Sequence, residues 1–389
     1  MRVLLLLLLA LMSAPALAEG SITIGFIGQD RPPVRPVSPL NREIRDEGLM
    51  GARLGLADTA TTGRFMGQAF TLAERALRAG DDAAQAARLF RDQGTRLVVA
   101  DLDAPALLAF ASAPEARDLL ILNSRAPDDD LRHEACRANV LHVVPSRAMV
   151  ADALAQYLVF KRWRRWFLVV GPEPGDKLFA DAVRRAAKRF GAEIAIEKAW
   201  TFRPGNARTD TGHVTLQTEI PALSQSPDHD VLVVADEADA FGEYLPGRTA
   251  RPRPVAGTHG LVATGFSPVT EQWGTTQLHA RFERLAGRRM GLADYAAWAA
   301  VRSIGEAAIR ARSSDPAAIA AYMRGPDFLL AGFKGQGQSF RAWDGQMRQP
   351  ILIAGPRMLV SVSPQPGFLH RGSELDTLGV DREESRCRF

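Results

Sequence analysis

Two segments of this sequence end in closely spaced carboxylates, a residue type that binds cations and polar solutes. The apolar run "LVVA" leads into Asp101 and Asp103, and the similar run "VLVVA" leads into Asp236 and Glu237. All-oxygen ligand sets suit hard cations such as calcium or a lanthanide. The EF-hand pattern D-x-[DN]-x-[DN]-G does not occur, so a metal held by Asp101, Asp103 and Asp236 is one hypothesis among several.

The same carboxylates have a structural interpretation. Asp103 stands just after an apolar run and two residues before Pro105, a position typical of a helix N-cap, whose side chain accepts hydrogen bonds from free backbone amides. Asp101, Asp236 and Glu237 allow the same interpretation. The run "PDDD" at 127–130 fits a solvated loop or part of a polar site.

Other polar candidates follow apolar runs in the same way. Gln29 and Asp30 come after "SITIGFIG", and Ser124 ends "LLILNS". Trp273 stands in a loop, where an indole ring either stacks on a ligand or packs against neighbouring chain. We therefore include all four residues in the candidate binding set.

Catalytic motifs are missing from the sequence. The segment "GFSPV" departs from the nucleophile elbow G-x-S-x-G at its last position, and "HEACR" lacks the second histidine of HExxH. The run "KGQGQSF" contains only a G-x-G among strand-like residues and does not open a helix. We expect neither an enzyme nor a bound cofactor.

The elements that must position these residues follow an alternating order. From Ser21 onward, short apolar runs alternate with amphipathic segments, which is typical of βαβ units and a mostly parallel sheet. The runs are rich in Val, Ile and Leu, as expected for strands covered by helices on both faces. Ligands of such sheets bind beyond the carboxyl ends of the strands. We therefore expect the strand-end carboxylates to line a cleft between two lobes.

The N-terminus has the features of an export signal. Residues 1–18, "MRVLLLLLLALMSAPALA", combine Arg2, an apolar run too short to span a membrane, and a small-x-small ending. Cleavage after Ala18 would leave 371 of the 389 residues, a length typical of two domains. We predict an exported protein.

The two cysteines, Cys136 and Cys387, have neither CxxC spacing nor nearby histidines that would indicate zinc. In an oxidising compartment, a disulfide is the default. The bond would attach the C-terminal tail to the first lobe, and two free thiols are the alternative.

Charge favours no macromolecular partner. The formal net charge is +4, and charged residues of both signs make up 24% of the chain. The densest basic segment, "KRWRRW" at 161–166, is typical of a helix end, where cations interact favourably with the last carbonyls. We expect no nucleic-acid binding.

The order of these segments resembles a known family. "ITIGFIG", "GLMGARLGLAD" and "AARLFRDQGTRLVVA", followed by the long segment from "NVLHVVPS" to "RFGAEI", are similar to periplasmic substrate-binding proteins of ABC transporters, in the branched-chain amino acid family of type I fold. "RFERLAGRRMGLADYAAWAAVRSIGEAAIRA" resembles that family's return helices, and "FKGQGQSFRAWDGQMRQPILIA" its closing strands. The resemblance implies a receptor in the periplasm that binds a small solute and presents it to an ABC permease, and we expect a monomer.

Within that family, the segment 257–282 is most similar to binding proteins found with pyrroloquinoline-quinone-dependent alcohol dehydrogenase systems. Amino-acid binders usually place Gly, Ser or Thr where this chain has Asp101 and Asp103. A ligand carboxylate would be repelled there, so a cationic or polyhydroxylated solute, a metal or a metal chelate is expected instead. A sensing or accessory protein that binds its solute without transport is the alternative function.

The resemblance implies a fold of two Rossmann-like, doubly wound α/β lobes joined by a three-segment hinge. We predict lobe 1 over residues 19–145 and 267–331, lobe 2 over 146–266 and 332–362, and a tail over 363–389. The hinge segments are expected near Pro145, near His259 to Ser267, and near Ala331 to Lys334.

Overall fold

The computed structural model describes residues 20–31, 43–201 and 218–388, so the predicted export signal at 1–18 lies outside the described residues. The labelled helices are α1 (Leu49–Phe65), α2 (Ala83–Asp92), α3 (Ala104–Ser112), α4 (Arg147–Phe160), α5 (Pro174–Phe190), α6 (Thr275–Ala286), α7 (Leu292–Ala311) and α8 (Pro316–Arg324). The strands are β1 (Ser21–Gln29), β2 (Ala69–Leu77), β3 (Leu97–Asp101), β4 (Leu120–Asn123), β5 (Val140–His142), β6 (Arg165–Val170), β7 (Glu193–Ala199), β8 (Val231–Ala235), β9 (Val255–Gly257), β10 (Leu261–Thr264), β11 (Leu330–Ala331), β12 (Gly337–Phe340), β13 (Met347–Arg348), β14 (Ile351–Ala354) and β15 (Leu359–Ser363).

Lobe 1 is built on a parallel five-stranded sheet in the order β2-β1-β3-β4-β5. Side chains of successive strand residues point to opposite faces, so Val99 packs in the core on the side of α1 and α7, and Val98 packs on the side of α2 and α3. Because helices cover both faces, every residue of β3 is buried. Burial of β3 on both faces therefore explains the unbroken run of apolar residues before Asp101.

Lobe 2 contains a seven-stranded sheet in the order β15-β14-β10-β9-β8-β6-β7. Its strands are parallel from β10 to β7, and β14 and β15 join as antiparallel strands at the other edge. Gly257 and Gly260 permit the tight link between β9 and β10, since both have positive φ and a Cβ on either would overlap a backbone carbonyl. The predicted fold of two doubly wound α/β lobes is confirmed.

The third crossing between the lobes lies later than our predicted position near Ala331 to Lys334. Phe340 and Met347, in the short antiparallel sheet β11-β12-β13, pack in the core of lobe 1. Ile351 packs in the core of lobe 2. Because the short sheet belongs to lobe 1, we place the crossing between Met347 and Ile351.

The crossing segments lie side by side. Gln346 donates from Nε2 to the carbonyl of Val144 at 3.1 Å, and Gln349 donates to the carbonyl of Val143 at 2.6 Å. Gly265 lies so close to Pro145 that a Cβ there would be 2.8 Å from the Pro145 ring. These contacts hold the three connections together as one hinge.

Cys136 and Cys387 form a disulfide, as predicted, and thereby join the C-terminal tail to lobe 1.

Among the described residues, no helix is long and apolar enough to cross a membrane.

Candidate functional site

A cavity of about 450 Å³ lies between the lobes next to the hinge, with walls from both. Its ionisable lining side chains are Arg125, Arg147, Asp236, Glu237, Asp239 and His259. Its apolar lining side chains include Val144, Val150, Phe179, Val262 and Leu292. A concave site with apolar walls and a few converging polar groups is typical of small-molecule binding.

On the lobe 1 side, Asp101 is paired with arginines. Its carboxylate accepts from Nε and from Nη2 of Arg125, the latter at 3.1 Å, and lies 3.4 Å from Nη1 of Arg31. Arg125 also reaches Glu47 at 2.9 Å. Burial lowers the pKa of the Arg125 guanidinium, but the carboxylates of Asp101 and Glu47 outweigh burial and hold that pKa above its usual value. Asp101 is therefore neutralised within the protein.

Close packing around Asp101 leaves little space for a ligand atom. The side chain is 2% exposed. Gly48, at the start of α1, has a φ of 82°, and a Cβ there would overlap Oδ2 of Asp101. The backbone amide of Gly48 donates to Asp294 at 2.9 Å, which holds this loop against α7. It is Arg125, rather than Asp101, that lines the cleft.

On the lobe 2 side, Asp236 is compensated by backbone amides. Its carboxylate accepts from the amides of Ala240 at 3.0 Å, Phe241 at 2.8 Å and Gly242 at 2.7 Å. These three donors belong to the loop that leads into the 3₁₀ turn Gly242–Tyr244. Asp236 thus acts as the anchor of a cleft-wall loop, in the manner of a helix cap.

Glu237 forms a bidentate pair with Arg147, the first residue of α4. Its oxygens lie 2.7 to 3.0 Å from Nε and Nη2 of the guanidinium, and Asp128 of lobe 1 lies 2.9 Å from Nη1. Burial raises the pKa of Glu237, Arg147 opposes the rise, and Asp128 and Asp176 add to it. Arg147 therefore bridges the lobes beside the hinge.

The turn between β9 and β10 presents His259 to the cleft. Its Nε2 lies 2.8 Å from Oδ1 of Asp239, and its Nδ1 lies 3.0 Å from the hydroxyl of Thr258. Thr258 in turn accepts from the amide of Asp236 at 3.0 Å. This network fixes the imidazole orientation and supplies polar groups that a bound solute would meet.

The remaining predicted site residues lie outside the cavity lining. Asp103 is the N-cap of α3, accepting from Ala106 at 2.9 Å, and it exchanges hydrogen bonds of 2.8 and 3.0 Å with Gln29. The buried hydroxyl of Ser124 donates to the carbonyl of Ala100. Asp30 is exposed, and Trp273 lies against Gly335, in the turn between β11 and β12 of lobe 1.

Sequence reasoning missed the arginines and the histidine of the cleft. Arg125 directly follows Ser124 at the end of β4, and Arg147 follows the first crossing at the N-cap Ser146. Both residues lie at a strand end or a helix start, where ligands of parallel α/β sheets bind, so this positional signal could have identified them. His259 follows β9 in the same way.

Among the described residues, no group of three or more His, Cys, Asp or Glu side chains is arranged to hold a metal ion. Asp101 and Asp103 belong to lobe 1 and Asp236 to lobe 2, and each has its own protein partners. The cleft instead offers both charge signs beside an apolar wall, which suits a small organic solute with polar groups.

Comparison with known proteins agrees with this geometry. Residues 21–211 match the family model described as periplasmic binding protein. No curated protein matches the chain in sequence.

Several solved structures have the same fold. A branched-chain amino acid ABC transporter ligand-binding protein from Burkholderia xenovorans is 16% identical, with a TM-score of 0.70 over 94% of this chain and 99% of its own. A leucine-, isoleucine-, valine-, threonine- and alanine-binding protein from Brucella ovis is 15% identical, with a TM-score of 0.67 over 88% and 95%. A solute-binding protein from R. palustris in complex with benzoate is 10% identical, with a TM-score of 0.66 over 95% and 100%. This chain therefore matches the periplasmic binding proteins over residues 21–211, and its described part has their two-lobed type I fold.

Proposed function

We propose that this protein is a periplasmic receptor that captures a small organic solute in the cleft between its lobes and delivers it to an ABC permease. The observation that carries the proposal is the cavity of about 450 Å³ beside the hinge, which both lobes line. A solute that touches both walls gains all of its contacts only when the lobes are closed, so binding stabilises the closed form. A permease that recognises the closed form then receives loaded protein.

The lining supports a solute with an apolar part and at least one polar or charged group. Val150, Phe179 and Val262 supply apolar surface, while the guanidinium of Arg125 supplies donors. Because Arg125 and Arg31 neutralise Asp101, a solute carboxylate is tolerated on this wall, contrary to our sequence-based expectation. The structural relatives named for amino acids and for benzoate bind solutes of this general kind.

A role in alcohol oxidation is the finer part of the proposal. It rests on the resemblance of residues 257–282 to binding proteins of pyrroloquinoline-quinone-dependent dehydrogenase systems. The solutes of such a system include alcohols, aldehydes and the carboxylic acids formed from them.

A thermal-shift screen of the metal-stripped protein tests the proposal. The panel comprises alcohols, aldehydes, carboxylic acids, amino acids, polyamines, calcium and lanthanum. A solute at one hundred times its Kd should stabilise the protein by about 2.7 kcal/mol. We expect an organic solute to give this shift. A shift from calcium or lanthanum alone would instead favour a metal receptor, and no shift from any compound would contradict solute capture.

A matched pair of variants locates the site. Val150→Trp fills the cleft from α4 and should abolish the shift, because the indole occupies the space of the solute. Leu178→Trp adds the same group on the exposed side of α5 and should leave the shift unchanged. Equal loss in both variants would argue against the cleft as the binding site.

A further inference from the structure

We propose that the C-terminal segment 364–388 is a covalent strap across the hinge that limits how far the two lobes separate. The segment starts after β15 in lobe 2 and ends at the disulfide with Cys136 in lobe 1. It therefore forms a fourth connection between the lobes, in addition to the three chain crossings.

The strap is firmly attached to lobe 2. Leu378 is buried in the core of that lobe. The amide of Gly379 donates to Asp152 of α4 at 2.9 Å, and the carbonyl of Gly379 accepts from Arg189 of α5 at 2.6 Å. Thr377 accepts from Gln156 of α4 at 3.1 Å. These bonds are mostly buried, so they persist when the lobes move.

The strap next contacts the residues around the third crossing. Asp376 pairs with Arg341 at 2.8 Å and with Arg348 at 2.9 Å. Arg341 also donates to the carbonyl of Leu378 at 2.7 Å, and its side chain is buried. The strap thus contacts lobe 1 at Arg341, which follows β12, and the third crossing at Arg348.

The far end of the strap is attached to lobe 1. Cys136 lies between Leu131 and Val140, which are both in the core of that lobe. Beside the disulfide, Arg386 pairs with Glu134 at 2.6 Å. The disulfide is the covalent part of this anchor, and the ion pair is exposed and weak.

The length of free chain sets the permitted motion. Glu384 still contacts Arg189 of lobe 2 at 3.4 Å, and Cys387 is bonded to lobe 1. Three residues of extended chain reach at most about 10 Å. Wider opening must break the exposed Glu384 pair and extend the turn in which Ser385 donates to the carbonyl of Asp381. Because Arg341 of lobe 1 also bonds to Asp376 and Leu378, separation must in addition break these buried bonds or detach Gly379 from lobe 2, so the resistance rises in steps.

A restraint of this kind shifts the balance between open and closed forms. If the strap excludes the most open conformations, a larger fraction of the solute-free protein is closed. The apparent Kd for the solute then falls in proportion to the increase in the fraction of protein that is competent to bind. This consequence rests on the proposed function, whereas the restraint on lobe separation is testable without any solute.

Two variants release the strap by different means. Cys136→Ser with Cys387→Ser removes the covalent anchor, and a Gly/Ser insertion after Arg382 lengthens the strap with the disulfide intact. Small-angle X-ray scattering of the solute-free protein should give a larger radius of gyration for both variants than for the wild type. Glu134→Ala, which removes only the exposed ion pair, is the matched control and should leave the radius unchanged.

Hydrogen exchange gives an independent readout. The amide of Arg147 donates to the carbonyl of Pro127 across the lobes at 2.9 Å, so it should exchange about tenfold faster in both released variants. An unchanged radius and exchange rate in both variants would overturn the strap. An increase in radius and exchange rate in the cysteine variant alone would also overturn the proposal. The increase would then come from the stability lost with the disulfide and not from a longer strap. If the solute screen fails while both released variants expand, only the proposed function is contradicted.

Discussion

The two lobes place a buried aspartate after the same kind of strand, yet they neutralise its charge differently. "LVVAD" ends in Asp101 and "VLVVAD" ends in Asp236, and the two side chains are 2% and 1% exposed. Asp101 is paired with the guanidinium groups of Arg125 and Arg31. Asp236 accepts three hydrogen bonds from backbone amides of its own loop.

The partners of the two aspartates show that the two lobes stabilise their cleft walls in different ways. An aspartate held by its own loop depends on local chain geometry alone, whereas one held by arginines depends on segments distant in sequence. Lobe 1 therefore brings to its wall a guanidinium paired with carboxylates distant in sequence, and lobe 2 brings a loop held by its own aspartate. Substitutions at the two aspartates should expose this contrast.

The largest effect is expected from Asp101→Asn. Removing the carboxylate leaves Arg125 with Glu47 as its carboxylate partner and Arg31 with backbone carbonyls only, so the free energy of unfolding should fall by about 3 to 4 kcal/mol. Because the Arg31 and Arg125 side chains are 33% and 23% exposed, salt screens part of this interaction, and the loss measured by urea denaturation should be smaller in high salt. A loss below about 1 kcal/mol would show that the arginine pair contributes little.

Asp236→Asn should cost about 2 to 3 kcal/mol, because an amide cannot accept all three backbone hydrogen bonds and its own NH₂ faces a donor. This loss should not depend on salt, since the donors are neutral. Urea denaturation at low and high salt, run beside Asp101→Asn, checks the contrast. Equal salt dependence in the two variants would contradict it.

Much of the fold was predictable from local pattern. The unbroken apolar run of β3 predicted a strand buried on both faces, and the structure confirms helices on both sides. The pairing of Cys136 with Cys387 followed from the number of cysteines and the expected compartment. The spacing of Asp103 to Pro105 predicted an N-cap as one of two interpretations, beside a role in ligand binding, and the structure shows the cap.

The charge partners in the cleft were not predictable in this way. Arg125 lies 24 positions from Asp101 along the chain, and Arg147 lies 90 positions from Glu237. Only strand order brings β3 beside β4, and only the lobe arrangement brings Arg147 to the same cavity. A pattern that shows two carboxylates does not show which cations reach them.

Asp152 is held both by arginines, as Asp101 is, and by a backbone amide, as Asp236 is. The pH dependence of the stability that it contributes extends the comparison. It pairs with Arg185 and Arg189 and accepts from the amide of Gly379, yet burial raises its pKa to about 6. As pH rises from about 4, Asp152 loses its proton in the unfolded chain before it does so in the folded protein. The free energy of unfolding therefore falls until about pH 6 and is constant above that value.

Urea denaturation of the wild type and of Asp152→Asn, compared between pH 4 and pH 6, isolates this group. The wild type should lose about 2 kcal/mol relative to the variant as pH rises across that window. A relative stability that instead increases with pH would mean that the arginines outweigh burial.

The smallest effect concerns Asp103, two residues from Asp101 but on the surface. Asp103→Ala removes the N-cap of α3 and the bond from Gln29, so it should cost about 1 kcal/mol. Asp103→Asn keeps an oxygen acceptor for the amide of Ala106 and should be nearly neutral. Thermal denaturation of both variants separates capping from charge. A loss in the Asn variant as large as that in the Ala variant would mean that the negative charge, rather than the cap, stabilises this end of lobe 1.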